Sequence, residues 1–323
     1  MYIEKKKIGN NTYTYLKVSV RVGDKVKTKT IAYLGKEPIS KNELKAKIAK
    51  LKLRAEEIKK ELKEEADINR EFLDESQSNE LEKLKKDFNK KLRRLDKKLI
   101  EDILRDFKTY YVYNTNAIEG NTITLQETDL LLNKNKTPEG RDLRDVYDHI
   151  NEREAFDFIS ENKPGISNEL IIKLHSMLLK NIDKRIGGFR LHNVRVFGAS
   201  FDTSPAEYVK TDMSLLLKWY HKNKNRLHPL ALAAIFHEKF ERIHPFYDGN
   251  GRAGRMIVNL ILIKNDFPPL IVENKKRKKY YEVLSIAHNA ELTKTDTKLY
   301  KPLVSFFYER IISTYKEIFS RWG

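Results

Sequence analysis

The sequence predicts a mainly α-helical protein preceded by a small antiparallel β module. Three observations predict it. Residues 1–36 hold runs rich in Tyr, Val and Thr, parted by Gly23-Asp24. Residues 40–108 carry Leu and Ile at alternating spacings of three and four. Beyond residue 109, apolar segments at 170–179, 229–243 and 256–263 keep helical spacing, with a Gly- and Ser-containing insert between the first two.

The β module is placed at residues 1–38. Tyr13 to Val22 alternates partially, Val26 to Leu34 reads as a second strand, and Gly35 ends it. Two or three strands alone are marginally stable, so the module is expected to pack on something. The helical arm is placed at residues 39–108. Ser40 reads as an N-cap, with Glu43 three residues on. Leu44, Ile48, Leu51, Ala55, Ile58 and Leu62 form one stripe. Leu81, Leu84, Phe88, Leu92, Leu95 and Leu99 form another, after a polar break at Ser76 to Asn79. Such stripes suit a helical hairpin or short coiled coil, and a homodimer is compatible with them, as is simple packing on the main domain. The third region, residues 109–323, is helical apart from its insert. There Val194 to Phe197 and the segment around Tyr208-Val209 read as short strands flanking Gly198 to Pro205.

Composition narrows the function. The 323 residues contain no cysteine, which removes disulfides, thiolate metal sites and cysteine nucleophiles. The start, Met-Tyr-Ile-Glu-Lys-Lys-Lys, does not read as a signal segment, and no apolar run approaches the ~20 residues of a membrane span. A cytoplasmic protein with no membrane partner is expected. The net charge of +17 divides into +10 over residues 1–110 and +7 over residues 111–323. A basic first third invites a nucleic-acid reading through residues 1–108. The rival reading is a solvated helix surface, because 44 lysines outnumber 19 arginines and many adjoin glutamates.

The chemistry concentrates in His244-Pro245-Phe246-Tyr247-Asp248-Gly249-Asn250-Gly251-Arg252-Ala253-Gly254-Arg255. Gly249, Asn250 and Gly251 can aim successive backbone N–H groups into a concave turn. That turn opens a helix, whose N-terminal dipole favours anions. Arg252 and Arg255 add bidentate phosphate donors. Asp248 offers a hard oxygen for Mg²⁺ bridging phosphates. His244 suits a general base near neutral pH. Together these are equipment for phosphoryl or nucleotidyl transfer. A zinc-protease reading of His237 to Glu241 fails, because position 241 is glutamate rather than histidine.

This run resembles the signature of the Fic family, His-x-Phe-x-(Asp/Glu)-Gly-Asn-Gly-Arg-x-x-Arg, at all eight fixed positions. The resemblance covers residues 109–323 and implies a Fic-fold helical domain with a β-hairpin flap. It implies a protein adenylyltransferase moving AMP from ATP onto a Ser, Thr or Tyr hydroxyl. His244 would take the hydroxyl proton and Asp248 would hold Mg²⁺. Gly249, Asn250 and Gly251 would cradle the phosphates, with Asn250 orienting the α-phosphate. Arg252 and Arg255 would engage the β- and γ-phosphates, and Phe246 would anchor the loop. Arg190 to Val209 resembles the flap that docks the target, best placed at Val194, Arg195, Val196, Phe197 and Gly198. Lys275 to Ala290 resembles the adenine-pocket segment, with Tyr281 and Leu284 at suitable places. There His288-Asn289 stands where the family often has an asparagine.

Thr115-Asn116-Ala117-Ile118-Glu119-Gly120 fits the family's inhibitory pattern (Ser/Thr)-x-x-x-Glu-(Gly/Asn). The resemblance implies an inhibitory helix near 110–120, whose Glu119 would occupy Arg255. An ordinary helix end capped at Gly120 explains the same residues. Other readings of the same core are AMP removal, kinase-like phosphotransfer, or a nucleic-acid or partner-binding protein on an inactive core. The retained Gly251 and the intact His244, Asp248 and arginines favour AMP transfer.

Overall fold

The computed structural model describes residues 1–22, 25–195 and 202–321. The chain forms two compact units, Met1–Glu71 and Phe72–Gly323. In the first, β1 (Tyr2–Ile8), β2 (Asn11–Val22) and β3 (Lys25–Lys36) make an antiparallel sheet in that order. The expected turn at Gly23-Asp24 lies outside the described residues. Alternation along β2 sends Leu16, Val18 and Val20 to one face, where Ile31 and Leu34 of β3 join them. That face is covered by α1 (Lys41–Lys50) and the start of α2 (Lys52–Phe72). The stripe of Leu44, Ile48, Leu51, Ala55, Ile58 and Leu62 packs against those strand residues. The sheet thus covers the stripe that also suited a coiled coil. Ser40 caps α1 by accepting from the Glu43 N–H at 3.2 Å.

In the second unit, α3 (Glu75–Arg94) begins earlier than its composition suggests. Asp74 and Gln77 form a reciprocal capping box, so the polar residues Ser76 to Asn79 are the first turn of a helix rather than a break. Leu81, Leu84 and Phe88 are buried, with Phe88 edge-on to Phe319 at 5.1 Å. The sequence-drawn boundary at 108/109 falls inside α4 (Lys97–Ile118). That helix buries Ile103, and packs Phe107 on Phe156 and Phe319 and Tyr111 on Phe156.

The remaining helices are α5 (Leu125–Lys134), α6 (Leu143–Asn162), α7 (Asn168–Leu178), α8 (Val209–Asn223), α9 (Pro229–Ile243), α10 (Asn250–Lys264), α11 (Arg277–Ala287) and α12 (Thr297–Thr314). The apolar helices α9 and α10 are buried along almost their whole length and lie at the centre of this unit. Gly254 lets them close up, since a Cβ there would stand 2.5 Å from His237 Nδ1. Asn259, a polar residue in an apolar run, accepts from the Leu270 N–H at 2.8 Å and donates to the Leu270 carbonyl at 3.1 Å. It holds the following loop.

The flap region departs from expectation. Ala206–Tyr208 is a 3₁₀ turn leading into α8, so Tyr208 and Val209 are helical rather than strand. Pro205 precedes the turn, and Val209, Met213, Leu216 and Tyr220 are buried at spacings of four, three and four, a helical period. Val194 and Arg195 carry no regular structure. Val196, Phe197 and Gly198 lie outside the described residues.

Candidate functional site

The turn between α9 and α10 is built by two residues with left-handed backbone. His244 ends α9 at φ 51°, and Gly249 opens α10 at φ 75°. No side chain caps α10, so no side-chain acceptor takes up the N–H groups of its first turn. Gly249 has a steric reason to be glycine as well, since a Cβ there would lie 2.5 Å from the buried Leu179 Cδ2. Gly249→Ala is therefore expected to lower stability by about 1–3 kcal/mol, from positive φ plus overpacking. A denaturant midpoint unchanged from the parent would contradict this.

Phe246 is 1% exposed and stacks on His175 with centroids 3.7 Å apart, as its expected anchoring role requires. His175 Nε2 donates to the Asp248 carbonyl at 3.1 Å. The Asn250 side chain is engaged within the loop. It accepts from the Phe246 N–H at 3.0 Å and donates to the Phe246 carbonyl at 2.9 Å. The amide braces the loop, and what Asn250 offers an anion is its backbone N–H.

His244 is half-buried. Burial pushes its imidazole down to about 4; the backbone carbonyl of Glu241 opposes the shift and the charge of Arg190 adds to it. The ring is neutral at pH 7, the form a general base needs. Asp248 moves the other way. Burial works to raise its carboxyl, but Arg252, the Gly249 N–H and Arg144 outweigh that and hold it below its ordinary value. Its Oδ1 accepts from the Gly249 N–H at 2.6 Å, and Arg144 pairs with Oδ2.

Arg252 is 3% exposed and paired with Asp148 of α6, with Asp248 at 3.8 Å. Arg255 is equally buried. Its Nη2 donates to Glu119 Oε1 at 2.6 Å and to the Thr115 carbonyl at 3.0 Å, and its Nε donates to Thr115 Oγ1 at 2.8 Å. Burial disfavours this cation, but Glu119 and the nearby tyrosines more than restore it, so its charge is permanent. Glu119 is the C-cap of α4, with Gly120 following at φ 97°. Both readings of this segment thus hold together: an ordinary helix end, and a carboxylate on Arg255. A Cβ on Gly251 would collide with Glu119 Oε1, so the carboxylate lies against the first turn of α10.

Tyr281 is 42% exposed, with Arg277 over its ring at 5.4 Å. The neighbouring Tyr280 is the buried one, sharing a 2.5 Å hydrogen bond with His237 Nε2 and standing close to Arg255. His288, in the adenine-pocket segment, meets the buried Glu238 at 3.0 Å.

Four contributors were not singled out in the sequence. Asp148 and Glu152 lie on α6, with burial pushing the Glu152 carboxyl up to about 7 against the pull of Arg252 and Arg255. Arg144 opposes Asp248. Arg190, 2% exposed, donates from Nε to the His244 carbonyl at 2.7 Å and from Nη1 to the His192 carbonyl at 2.9 Å. Its Nη2 reaches the Ser204 carbonyl, and its backbone N–H donates to the Pro245 carbonyl at 2.9 Å.

A metal ion fits this site in one way. Among the described residues no group of three His, Cys, Asp or Glu could hold one. Asp248 is a single ionised carboxylate beside the α10 N-terminus, and one carboxylate suits an ion arriving with phosphates rather than a resident one. No helix is long and apolar enough to cross a membrane among the described residues.

Comparison with known proteins agrees with this geometry. The sequence profile of the Fic/DOC family matches residues 165–262. The protein adenylyltransferase fic-1 of Caenorhabditis elegans is 32% identical over 196 residues, covering 59% of this chain and 38% of that protein. The protein adenylyltransferase Fic of Drosophila melanogaster is 31% identical over 191 residues, 56% of this chain and 38% of that protein. This chain thus spans well under half the length of these relatives. Among solved structures, a Fic domain containing signaling protein from Bacteroides thetaiotaomicron superposes with a TM-score of 0.67 at 25% identity, covering 72% of this chain and 94% of that one. A fragment of C. elegans Fic-1 superposes with a TM-score of 0.65 at 25% identity, covering 88% and 78%. Residues 165–262 of this chain, with the loop from His244 to Arg255 inside them, carry the match to the Fic/DOC family.

Proposed function

We propose that the chain is a protein adenylyltransferase restrained by its own Glu119. The supporting observation is the Glu119–Arg255 ion pair seated at the α10 N-terminus, beside an intact His244 loop. In the reaction, a Ser, Thr or Tyr hydroxyl oxygen of a target protein bonds to the α-phosphorus of ATP. The bond from that phosphorus to the bridging oxygen breaks, pyrophosphate leaves, and the hydroxyl proton passes to His244. The α10 N-terminus and Arg252 hold the phosphates, and Arg255 takes the γ-phosphate once Glu119 is displaced. Asp248 would hold Mg²⁺ carried on the phosphates, where the ion neutralises their charge. Val194 and Arg195, with the segment after them, are the proposed docking edge for the target chain. Tyr281 is the proposed wall of the adenine pocket. A cytoplasmic setting and a homodimer belong to the same reading.

The test is parallel incubation of the Glu119→Gly chain with ATP labelled at the α- or at the γ-phosphate, with Mg²⁺. Label from the α-position alone is expected. Label from the γ-position would overturn AMP transfer in favour of phosphotransfer.

The depressed His244 pKa adds a pH prediction. The base is active when neutral, so kcat/KM is expected to stay level through neutrality and fall only near pH 4, where the ring protonates. Removing the Glu119 charge, which favours the imidazolium, moves that limb further down. An acid limb near 6.5, the ordinary histidine value, would contradict the assignment.

A further inference from the structure

The AMP-transfer site leaves one built surface without a role. Alternation along β2 places Tyr13, Tyr15, Lys17 and Arg21 on the face opposite the helix-covered core. Strand register extends this face. Tyr2, Glu4 and Lys6 of β1 stand opposite Lys17, Tyr15 and Tyr13. Tyr33 of β3 stands opposite Tyr15, and Lys36 opposite Tyr13. The tyrosines cluster, with Tyr33 centred 5.5 Å from Tyr15 and 6.3 Å from Tyr13. Cross-strand aromatic pairs do stabilise hairpins. That role does not require open rings, yet Tyr33 is 54% exposed and Tyr2 43%.

Charge separates this face from the helices behind it. Lysines of α1 and α2 pair with glutamates one turn away, as Lys47 does with Glu43 at 2.8 Å and Lys59 with Glu56 at 2.7 Å. On the tyrosine face Lys6, Lys17, Arg21 and Lys36 stand against one described carboxylate, Glu4, which Lys17 pairs at 2.7 Å; Lys27 and Lys29 share the face of Val20 and Val18, where Lys29 meets Glu61 at 3.2 Å. The face therefore combines exposed π-surfaces with an excess of cations on a rigid sheet.

We propose that this sheet face binds single-stranded nucleic acid. Unpaired bases stack on Tyr33, Tyr15 and Tyr2, while phosphates run along Lys6 and Lys36. Tyrosine faces accept any base, so the platform selects for single strands rather than for sequence. A duplex hides its base faces and engages only the cations.

The test is fluorescence anisotropy of the full chain with fluorescein-labelled oligothymidine of about 20 nucleotides, beside a matched duplex, across a salt series. The single strand is expected to bind more tightly than the duplex. Tyr15→Ser/Tyr33→Ser is expected to weaken it at least about ten-fold at fixed salt, while Tyr33→Phe keeps binding. Lys6→Gln/Lys36→Gln is expected to flatten the log–log salt slope by about 1.4, two phosphates' worth on a single strand. Unchanged circular dichroism and melting of each variant show that the sheet persists. No binding at low salt, equal binding of the duplex, or indifference to the tyrosine pair would overturn the proposal. Equal competition by polyglutamate would also overturn it, pointing to an acidic protein partner instead. Label transfer by Glu119→Gly/Tyr33→Ser is expected to match Glu119→Gly, so this proposal and the AMP-transfer reading fail separately.

Discussion

Replacing Glu119 with glycine is expected to raise AMP incorporation by about ten- to a hundred-fold, and adding His244→Ala is expected to remove the gain. The first expectation follows from what Arg255 holds. Its guanidinium has two anchors: the Thr115 hydroxyl and carbonyl, which belong to the fold, and the Glu119 carboxylate at 2.6 Å, which lies where an anion at the α10 N-terminus would go. The Glu119 side chain is 36% exposed and that of Arg255 is 4% exposed. Removing the carboxylate therefore frees a fixed, desolvated cation without dismantling its support. A coupling of about 1–3 kcal/mol between two sites corresponds to about 5- to 150-fold, which sets the size expected. His244→Ala deletes the proposed general base, worth about 10²–10⁴-fold. Melting supplies an independent readout, because a buried arginine losing its carboxylate destabilises the chain whether or not the enzyme is active. Label transfer equal in parent and Glu119→Gly, with the melting point lowered, would sink the restraint while confirming the ion pair.

The twelve residues from His244 to Arg255 were legible because their chemistry is contiguous. A nest, a base, a carboxylate and two arginines fall within one turn and the start of one helix, and local geometry alone brings them together. Glu119 was legible for a different reason, a short spacing pattern whose partner lies 136 residues away. What the sequence hid are the residues that hold these groups from other helices. Asp148 and Glu152 sit in α6 among Arg144, Asp145, Glu154 and Asp157, which reads as a solvated charged face. No periodicity reveals that two of those carboxylates turn inward, Asp148 to Arg252 and Glu152 to the Tyr111 hydroxyl. The strand reading at Tyr208-Val209 failed because two β-favouring residues were weighed without the four-three-four burial that continues to Tyr220. The leucine stripe of α1 and α2 was read correctly as apolar, but a stripe does not say what covers it. The sheet ahead of it does.

Arg190 carries the second large effect, and it acts through position rather than contact with the reacting atoms. It is a buried cation with no carboxylate among its described partners, satisfied instead by the carbonyls of His244, His192 and Ser204. Burial lowers its pKa, yet a guanidinium remains charged at any working pH. Its fork thus ties the backbone of His244, the proposed general base, to the chain leading into and out of the proposed docking segment. Lysine carries its three donors on one nitrogen and lacks the planar fork that spreads the guanidinium's donors over three nitrogens. Arg190→Lys is expected to leave buried acceptors unpaired, lowering stability on the order of 1–3 kcal/mol. It is also expected to lower kcat by about a hundred-fold in the Glu119→Gly background, since a shift of about 1 Å in a catalytic group has that cost. KM for ATP should change little, because the phosphate groups on α10 do not depend on Arg190. A folded Arg190→Lys chain with full kcat would refute the positioning role. A matching rise in KM for ATP would mean that Arg190 supports the nucleotide site as a whole. Loss of kcat with KM preserved is the signature of a base held out of line while its substrate stays bound.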